Sequence, residues 1–412
     1  MNVITDDLAD LAFWTQPPQA RLAAFARLRE LPEPRFFPER RVPLLRSGTG
    51  FHALVRHADV VEASRRPATF SSEPAVSSPE PPGWVRHVFG EALVNMDDPR
   101  HARLRRIVAR AFTPRMLAKM EEDLRRTSAE IVDDVLAHRP GDFVTAVAAR
   151  LPINVICDMM GIPGEARREV HRHVDTSTEY SGVRSDLLRA LRMGVRNASA
   201  LMSLQRLVIR LGRLRRDDPS DDLISALVHA NVDGERLTAR ELGSFFTLLL
   251  VAGNETTRNA IAHGLHLLSA HPEQRELLLS DFDRYIPTAI EEIVRHATPI
   301  MQFRRTVTED CELNGHAFRR GDRVALLYVS ANRDGAVFAD PDAFDITRSP
   351  NPHVGFGGPG PHFCLGAHLA RRELTVIFRE LFTRLPGIRA TDEPEYLLSN
   401  FDNGIQRLSF DF

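Results

Sequence analysis

The chain has 412 residues and carries 53 Lys and Arg against 55 Asp and Glu, a formal net charge of -2. With 43% hydrophobic and 26% charged residues, its composition is that of a globular protein and excludes a disordered or collagen-like chain. The balanced charge argues against a dedicated nucleic-acid binder, so no nucleic-acid partner is expected. Three cysteines, Cys157, Cys311 and Cys364, are too few and too widely spaced for a disulfide framework or a Cys-rich zinc module, and suit a reducing cytoplasm. The N-terminus is acidic and lacks an apolar signal-like core. The longest apolar stretch, near Phe245–Gly253, falls well short of the ~20 residues of a membrane span, so a cytoplasmic protein without one is expected.

Taken in chain order, residues 20–30 have helical spacing, Phe51–Val55 reads as a short strand and Asp59–Ser64 as a helix start. Ser71–Gly83, rich in Ser, Pro and Glu, reads as a mobile surface loop. Helical patterns dominate from Pro99 to about residue 285, interrupted by a charged connection at Arg213–Asp222. Phe303–Glu312 and Arg323–Val329 read as strands, Pro341–Pro361 as extended and turn-rich, and Leu365–Leu385 as a helix. Tyr396–Phe412 has strand character around a turn at Asn403-Gly404. The expected class is mainly α with small β-sheets, one domain over residues 1–412, β-richer at roughly 30–70 and 300–350.

The segment Gly355-Phe356-Gly357-Gly358-Pro359-Gly360-Pro361-His362-Phe363-Cys364-Leu365-Gly366 is the most unusual in the chain. Its glycines allow close backbone approach and positive φ. A cysteine placed just before a helix meets unpaired N–H groups and the positive dipole end, which favour thiolate. Three chemistries compete for it. A nucleophile would need a base, and His362 is two residues away, but no oxyanion hole is defined. A zinc site would need further close-spaced Cys or His. A heme thiolate ligand needs this one cysteine alone. The formal Gly355-x-Gly357-x-x-Gly360 dinucleotide pattern lacks its context, because Ser349–His353 is not a buried strand.

The segment resembles the heme-binding loop of the cytochrome P450 family, Phe-x-x-Gly-x-His/Arg-x-Cys-x-Gly. Gly360, His362, Cys364 and Gly366 match in register, while Gly357 stands at the aromatic position and Phe356 one residue earlier. Ala252-Gly253-Asn254-Glu255-Thr256-Thr257, inside the apolar helix pattern Phe245–His266, is similar to the family's oxygen-activation motif. A bland alternative for its threonines is a bond back to the i−4 carbonyl. The resemblance implies that Ala252 and Gly253 leave room for dioxygen, and that Thr256 and Glu255 manage proton delivery. It also implies a single-domain cytochrome P450 fold, a triangular helical bundle enclosing heme b with an axial thiolate. Cys364 would then bind the iron, with Phe356, Gly358 and Gly366 beside the cofactor. His101, Arg105, Arg305 and His362 would meet the propionates. Glu292 and Arg295, completed by Arg348, would form a structural ion-pair group.

Register implies a pocket lined by Val94, Met96, Leu248, Val251, Ile300, Met301 and Phe401, all apolar, which select apolar ligands. The implied reaction is insertion of one atom of O2 into a C–H bond of an apolar small molecule. Electrons would come from a ferredoxin and an NAD(P)H-ferredoxin reductase, and Arg103, Arg106, Arg110 and Arg371 or Arg372 could form the docking face. The islands Ala252–Ala260, Asn351–Gly355 and Ser399–Ile405 are similar to actinobacterial members that act on sterol side chains, branched lipids and terpenoids. A polyketide-tailoring hydroxylase, a peroxide-driven peroxygenase and a non-catalytic heme protein stand as alternatives.

Overall fold

The computed structural model describes residues 6–39, 50–77, 80, 91–111, 114–178, 187–231 and 234–412. The fold is mainly helical with small sheets. The backbone divides into two compact units. A sheet-bearing unit comprises residues 1–82, 259–375 and 385–412, and a helical unit comprises 83–258 and 376–384.

In the sheet-bearing unit, β1 (Phe36–Pro38), β2 (Gly50–Leu54), β3 (Phe70–Ser71), β4 (Gln302–Val307) and β7 (Arg323–Leu327) form one sheet in the order β1-β2-β7-β4-β3. β2 and β7 pair in parallel, with His52 opposite Val324, and the other pairings are antiparallel. β5 (Cys311–Leu313) and β6 (His316–Phe318) make a separate hairpin. The two-residue period of strands sorts the side chains to opposite faces. Phe51, Ala53, Ala325 and Leu327 join Phe13, Trp14 and Phe25, whereas Leu54, Val324 and Leu326 join Val60, Ala63 and Phe70. With both faces covered, β7 reads as the continuous apolar run Val-Ala-Leu-Leu. The Pro18–Glu30 helix starts with proline at its first position, where no backbone donor is needed.

The helical unit carries the helices Arg100–Ala111, Pro114–His138, Arg150–Met159, Gly164–Thr178, Leu187–Asp217 and Leu223–His229, with a π turn at Val144–Ala148. The Ala239–Ala270 helix contributes its residues up to Arg258. Leu93, Met96 and Leu104 form an apolar cluster against which Leu237 and Leu248 pack. Asp222 caps the Leu223–His229 helix through the Ser225 amide at 2.7 Å and pairs with Arg215 at 2.7 Å. No helix among the described residues is long and apolar enough to cross a membrane.

Three local expectations are corrected. The Arg213–Asp222 connection is helical to Asp217, because a charged solvent-facing last turn reads like a linker. Val329 lies in a short helix, Tyr328–Ala331, instead of ending a strand. Ser71–Val76 is not a surface loop: Ser71 belongs to β3, Ser71, Ser72 and Val76 are buried, and the Val76 carbonyl accepts from the Arg304 amide at 2.7 Å. Most of the rest of that segment, through Gly83, lies outside the described residues.

Candidate active site

The cysteine loop belongs to the sheet-bearing unit. Gly357 and Gly360 have φ of +85° and +140°, conformations that side-chain-bearing residues avoid. Gly360 also runs so close to the His57–Arg65 helix that an added Cβ would stand 2.4 Å from the Ser64 carbonyl oxygen. Thus the glycines answer first to backbone packing. The helix beyond the loop begins at Ala367, so Cys364 lies three residues ahead of it. Its amide donates to the Phe356 carbonyl at 3.0 Å, which ties the two ends of the loop together.

Of the three thiols, burial pushes Cys157 up to about 12, and burial also raises Cys311. Cys364 is exposed. The ring of Phe356 carries the Arg371 guanidinium on its face at 4.4 Å and lies 6.3 Å from Phe363. His362 Nε2 lies 3.1 Å from the Ser72 hydroxyl, a partner the sequence did not advertise. Arg305 is buried on β4 and donates to the Arg304 carbonyl at 2.8 Å.

Glu292, Arg295 and Arg348 meet in the same unit. Arg295 grips Glu292 through two donors at 2.8 Å, and Arg348 Nε reaches the same carboxylate at 3.2 Å. Glu292 and Arg295 are wholly buried. Although burial alone would raise the Glu292 carboxyl, donation from Arg295 brings it below its ordinary value. Ile300 bridges to Asp402, and the Phe401 ring lies 5.6 Å from Phe303. Met301 departs from its expected pocket position. It is buried among Phe13, Trp14 and Phe25, with the Arg21 guanidinium 3.6 Å from its sulfur; it stands just ahead of β4, where its amide bonds the Phe401 carbonyl and the strand alternation does not reach.

The helical unit holds the second group. In the Ala239–Ala270 helix, Ala252 is exposed and Gly253 half-buried; a Cβ on Gly253 would touch Ile156 at 3.0 Å. Thr256 Oγ1 donates to the Ala252 carbonyl at 2.8 Å, the back-bond geometry. Buried Glu255 accepts from Arg258 at 3.2 Å, a partner three residues on that the sequence reading passed over. His101 is buried, and its Nδ1 lies 3.5 Å from Asp98. Burial lowers its pKa, Arg105 adding to the effect and Asp98 opposing it. Val94 and Val251 are half-buried, while Met96 and Leu248 take part in the apolar cluster.

Two arginines of the expected docking face are held by acids of their own unit. Arg103 reaches Glu235 and Glu241, each at 2.7 Å, and Arg371 is gripped by Glu291 at 2.6 and 2.8 Å. The sequence reading took both for surface charge.

The cytochrome P450 family model matches residues 68–386. The methyl-branched lipid omega-hydroxylase of Mycobacterium tuberculosis is 45% identical over 98% of this chain and 93% of its own. A steroid C26-monooxygenase of Mycolicibacterium smegmatis is 38% identical over 88% of this chain and 84% of its own. Among solved structures, a Mycobacterium marinum cytochrome P450 in complex with pseudoionone aligns with a TM-score of 0.90 and 41% identity, covering 99% of this chain and 98% of that one. The thiol loop, the acid–alcohol pair and these likenesses along nearly the whole length converge: the chain belongs to the cytochrome P450 family, as a monooxygenase whose cofactor is heme b with an axial thiolate.

Proposed function

We propose that this enzyme hydroxylates the terminal methyl region of a branched, isoprenoid-like apolar chain, with Cys364 as the thiolate ligand. The observation that carries the ligand assignment is the contrast among the thiols. Cys364 is exposed in a glycine loop, whereas the other two sit in surroundings that oppose ionisation. The donor set also fits the cofactor. A dianionic porphyrin edge asks for N–H donors, and His101, Arg105, Arg305 and His362 are imidazole and guanidinium groups of the right kind. Phe356, Gly358 and Gly366 supply small or flat surfaces at the thiolate side.

When bound, heme with a thiolate ligand supplies the activation of dioxygen, favoured by electron donation from sulfur. The chain's own residues bind, orient and feed protons. Ala252 and Gly253 keep side-chain bulk away from the reacting oxygen. Thr256 holds its proton against the Ala252 carbonyl at 2.8 Å, and would be the group to release it once heme supplied the oxygen chemistry. Glu255, fixed by Arg258, restores that proton through water. Within the helical unit, Val94, Met96, Leu248 and Val251 offer apolar surface to an apolar substrate, and within the sheet-bearing unit Ile300 and Phe401 do.

The substrate reading rests on the relatives' names. One is named an omega-hydroxylase of methyl-branched lipids and another a steroid C26-monooxygenase. The pseudoionone complex adds a linear terpenoid. Electrons come from a ferredoxin and its NAD(P)H-dependent reductase. The test is a spin-state titration with methyl-branched acids, linear terpenoids and steroids, followed by turnover with ferredoxin and reductase or with peroxide alone. Branched ligands bind most tightly and yield a terminal alcohol only in the reductase system. Turnover confined to peroxide, or tight binding confined to polyketide-like macrolides, refutes the proposal.

A further inference from the structure

Behind the cysteine loop lies a charged group that no heme or oxygen role has absorbed. Glu291 precedes Glu292 in the Phe282–Ala297 helix, so its side chain leaves the helix about 100° around from that of Glu292. Its carboxylate grips the Arg371 guanidinium in bidentate fashion, at 2.6 Å to Nε and 2.8 Å to NH2. His353 Nε2 lies 3.0 Å from the same carboxylate. The clamped guanidinium lies over the ring of Phe356, at 4.4 Å from its centre, and the His353 ring lies 5.9 Å from the same phenylalanine. Phe356 in turn receives the Cys364 amide on its carbonyl, at 3.0 Å.

A continuous path therefore runs from a fixed carboxylate, through a cation and a ring, to the backbone that sets the thiol. Phe356 stands one residue before the family's usual aromatic position, yet it is the residue that both bonds to Cys364 and carries the cation. Arg371 is held above its ordinary pKa by its hydrogen bonds to Glu291, so it stays a cation over the Phe356 ring.

Resting on the assignment of Cys364 as the heme ligand, we propose that Glu291, Arg371 and Phe356 are positioning residues that hold the cysteine loop in register and set the charge felt by its thiolate. Arg371 brings positive charge toward the sulfur, and Glu291 limits how much of it acts. In this role Arg371 serves the thiolate and not a redox partner.

The opposed charges give the test its sign. Three single variants of the holoenzyme, R371Q, E291Q and F356L, are compared by ferric–ferrous midpoint potential and by the reduced carbon-monoxide difference spectrum. R371Q removes a cation, increases electron donation from sulfur and lowers the potential. E291Q leaves Arg371 unneutralised and raises it. F356L keeps the carbonyl bond but removes the face under Arg371, and increases the fraction absorbing near 420 rather than about 450 nm. If R371Q takes up heme poorly, R371K keeps the charge without the planar fork. It is expected near the wild-type potential with an enlarged 420 nm fraction. Shifts of the same sign in R371Q and E291Q, no shift in R371Q, or an unaltered spectrum in F356L overturn the proposal. Absence of a 450 nm band in the wild-type holoenzyme would instead overturn the Cys364 assignment beneath it. Ferredoxin affinity in R371Q serves as the control, and a large loss there with unchanged potential places Arg371 in docking.

Discussion

Replacing Glu292 by glutamine tests whether the buried ion-pair group maintains the fold around the cysteine loop. The wild-type carboxylate accepts from Arg295 twice, from Arg348 at 3.2 Å, from the Asn351 amide at 3.0 Å and from the Asp345 backbone at 3.0 Å. Glutamine keeps the shape, but presents a donor where an acceptor is needed and leaves two guanidinium groups without their shared anion. A charge pair at contact is worth roughly 4 kcal/mol at an effective dielectric of about 20. Part of this is regained because glutamine is cheaper to bury than a carboxylate. The net loss on removing one partner of a buried pair is ~3–5 kcal/mol. With an unfolding entropy of ~2.1 cal/mol/K per residue, a chain of this length loses about 4–6 °C of melting temperature. Thermal unfolding followed in parallel by far-ultraviolet circular dichroism and by the heme Soret band measures it. A loss under ~1 °C would refute the account, since a fully buried carboxylate facing two arginines cannot be removed at so small a cost.

Thr256→Ala removes the hydroxyl that bonds the Ala252 carbonyl. The yield of product per NADH consumed should fall several-fold with oxygen uptake maintained, and unchanged coupling would deny Thr256 its proton role. In the apoprotein at pH 8, iodoacetamide followed by mass spectrometry should label Cys364 and spare Cys157, whose thiol burial pushes up to about 12; equal rates would contradict that burial. Glu373 is buried, its Oε2 has no partner among the described residues, and burial raises its carboxyl to about 8. A carboxyl raised on folding destabilises progressively as pH climbs from its unfolded value near 4.5 to about 8. E373Q should therefore gain stability over wild type across that window, measured by urea unfolding at pH 5 and pH 8. A variant whose advantage is constant or reversed would show that Glu373 has a partner for its charge.

Much of this molecule could be read directly from its residues. The glycine-rich loop and the acid–alcohol pair stood out because they break the composition around them, and the strands near Phe51 and Arg323 carried the apolar runs of a covered sheet. What escaped depends on contacts between distant segments. Ser72 looked like part of a polar loop, because nothing nearby in sequence discloses His362 at 3.1 Å. Met301 is expected by register beside the pocket residues, yet, just ahead of β4, it packs toward Phe13 and Arg21. Arg371 looked like surface charge because a bidentate carboxylate from 80 residues upstream is invisible in a linear string. Arg258 alone could have been found, lying three residues past Glu255 on a helix, where such pairs meet.

The parallel pairing of β2 with β7 sets an order on how the chain can acquire its structure. His52 meets its partner only when Val324 exists, 272 residues later by the numbering. At roughly 5–20 residues per second of synthesis, that interval is on the order of ten seconds to a minute. Throughout it, Phe51, Ala53 and Leu54 form a strand without its neighbour, one edge of which is a template for unwanted pairing. Residues 83–258 emerge within that wait, although their unit is closed only by 376–384, which follow Val324. The earliest part of the polypeptide to emerge is thus among the last to be secured, and it is there, not at the metal ligand, that a nascent chain most needs protection from aggregation.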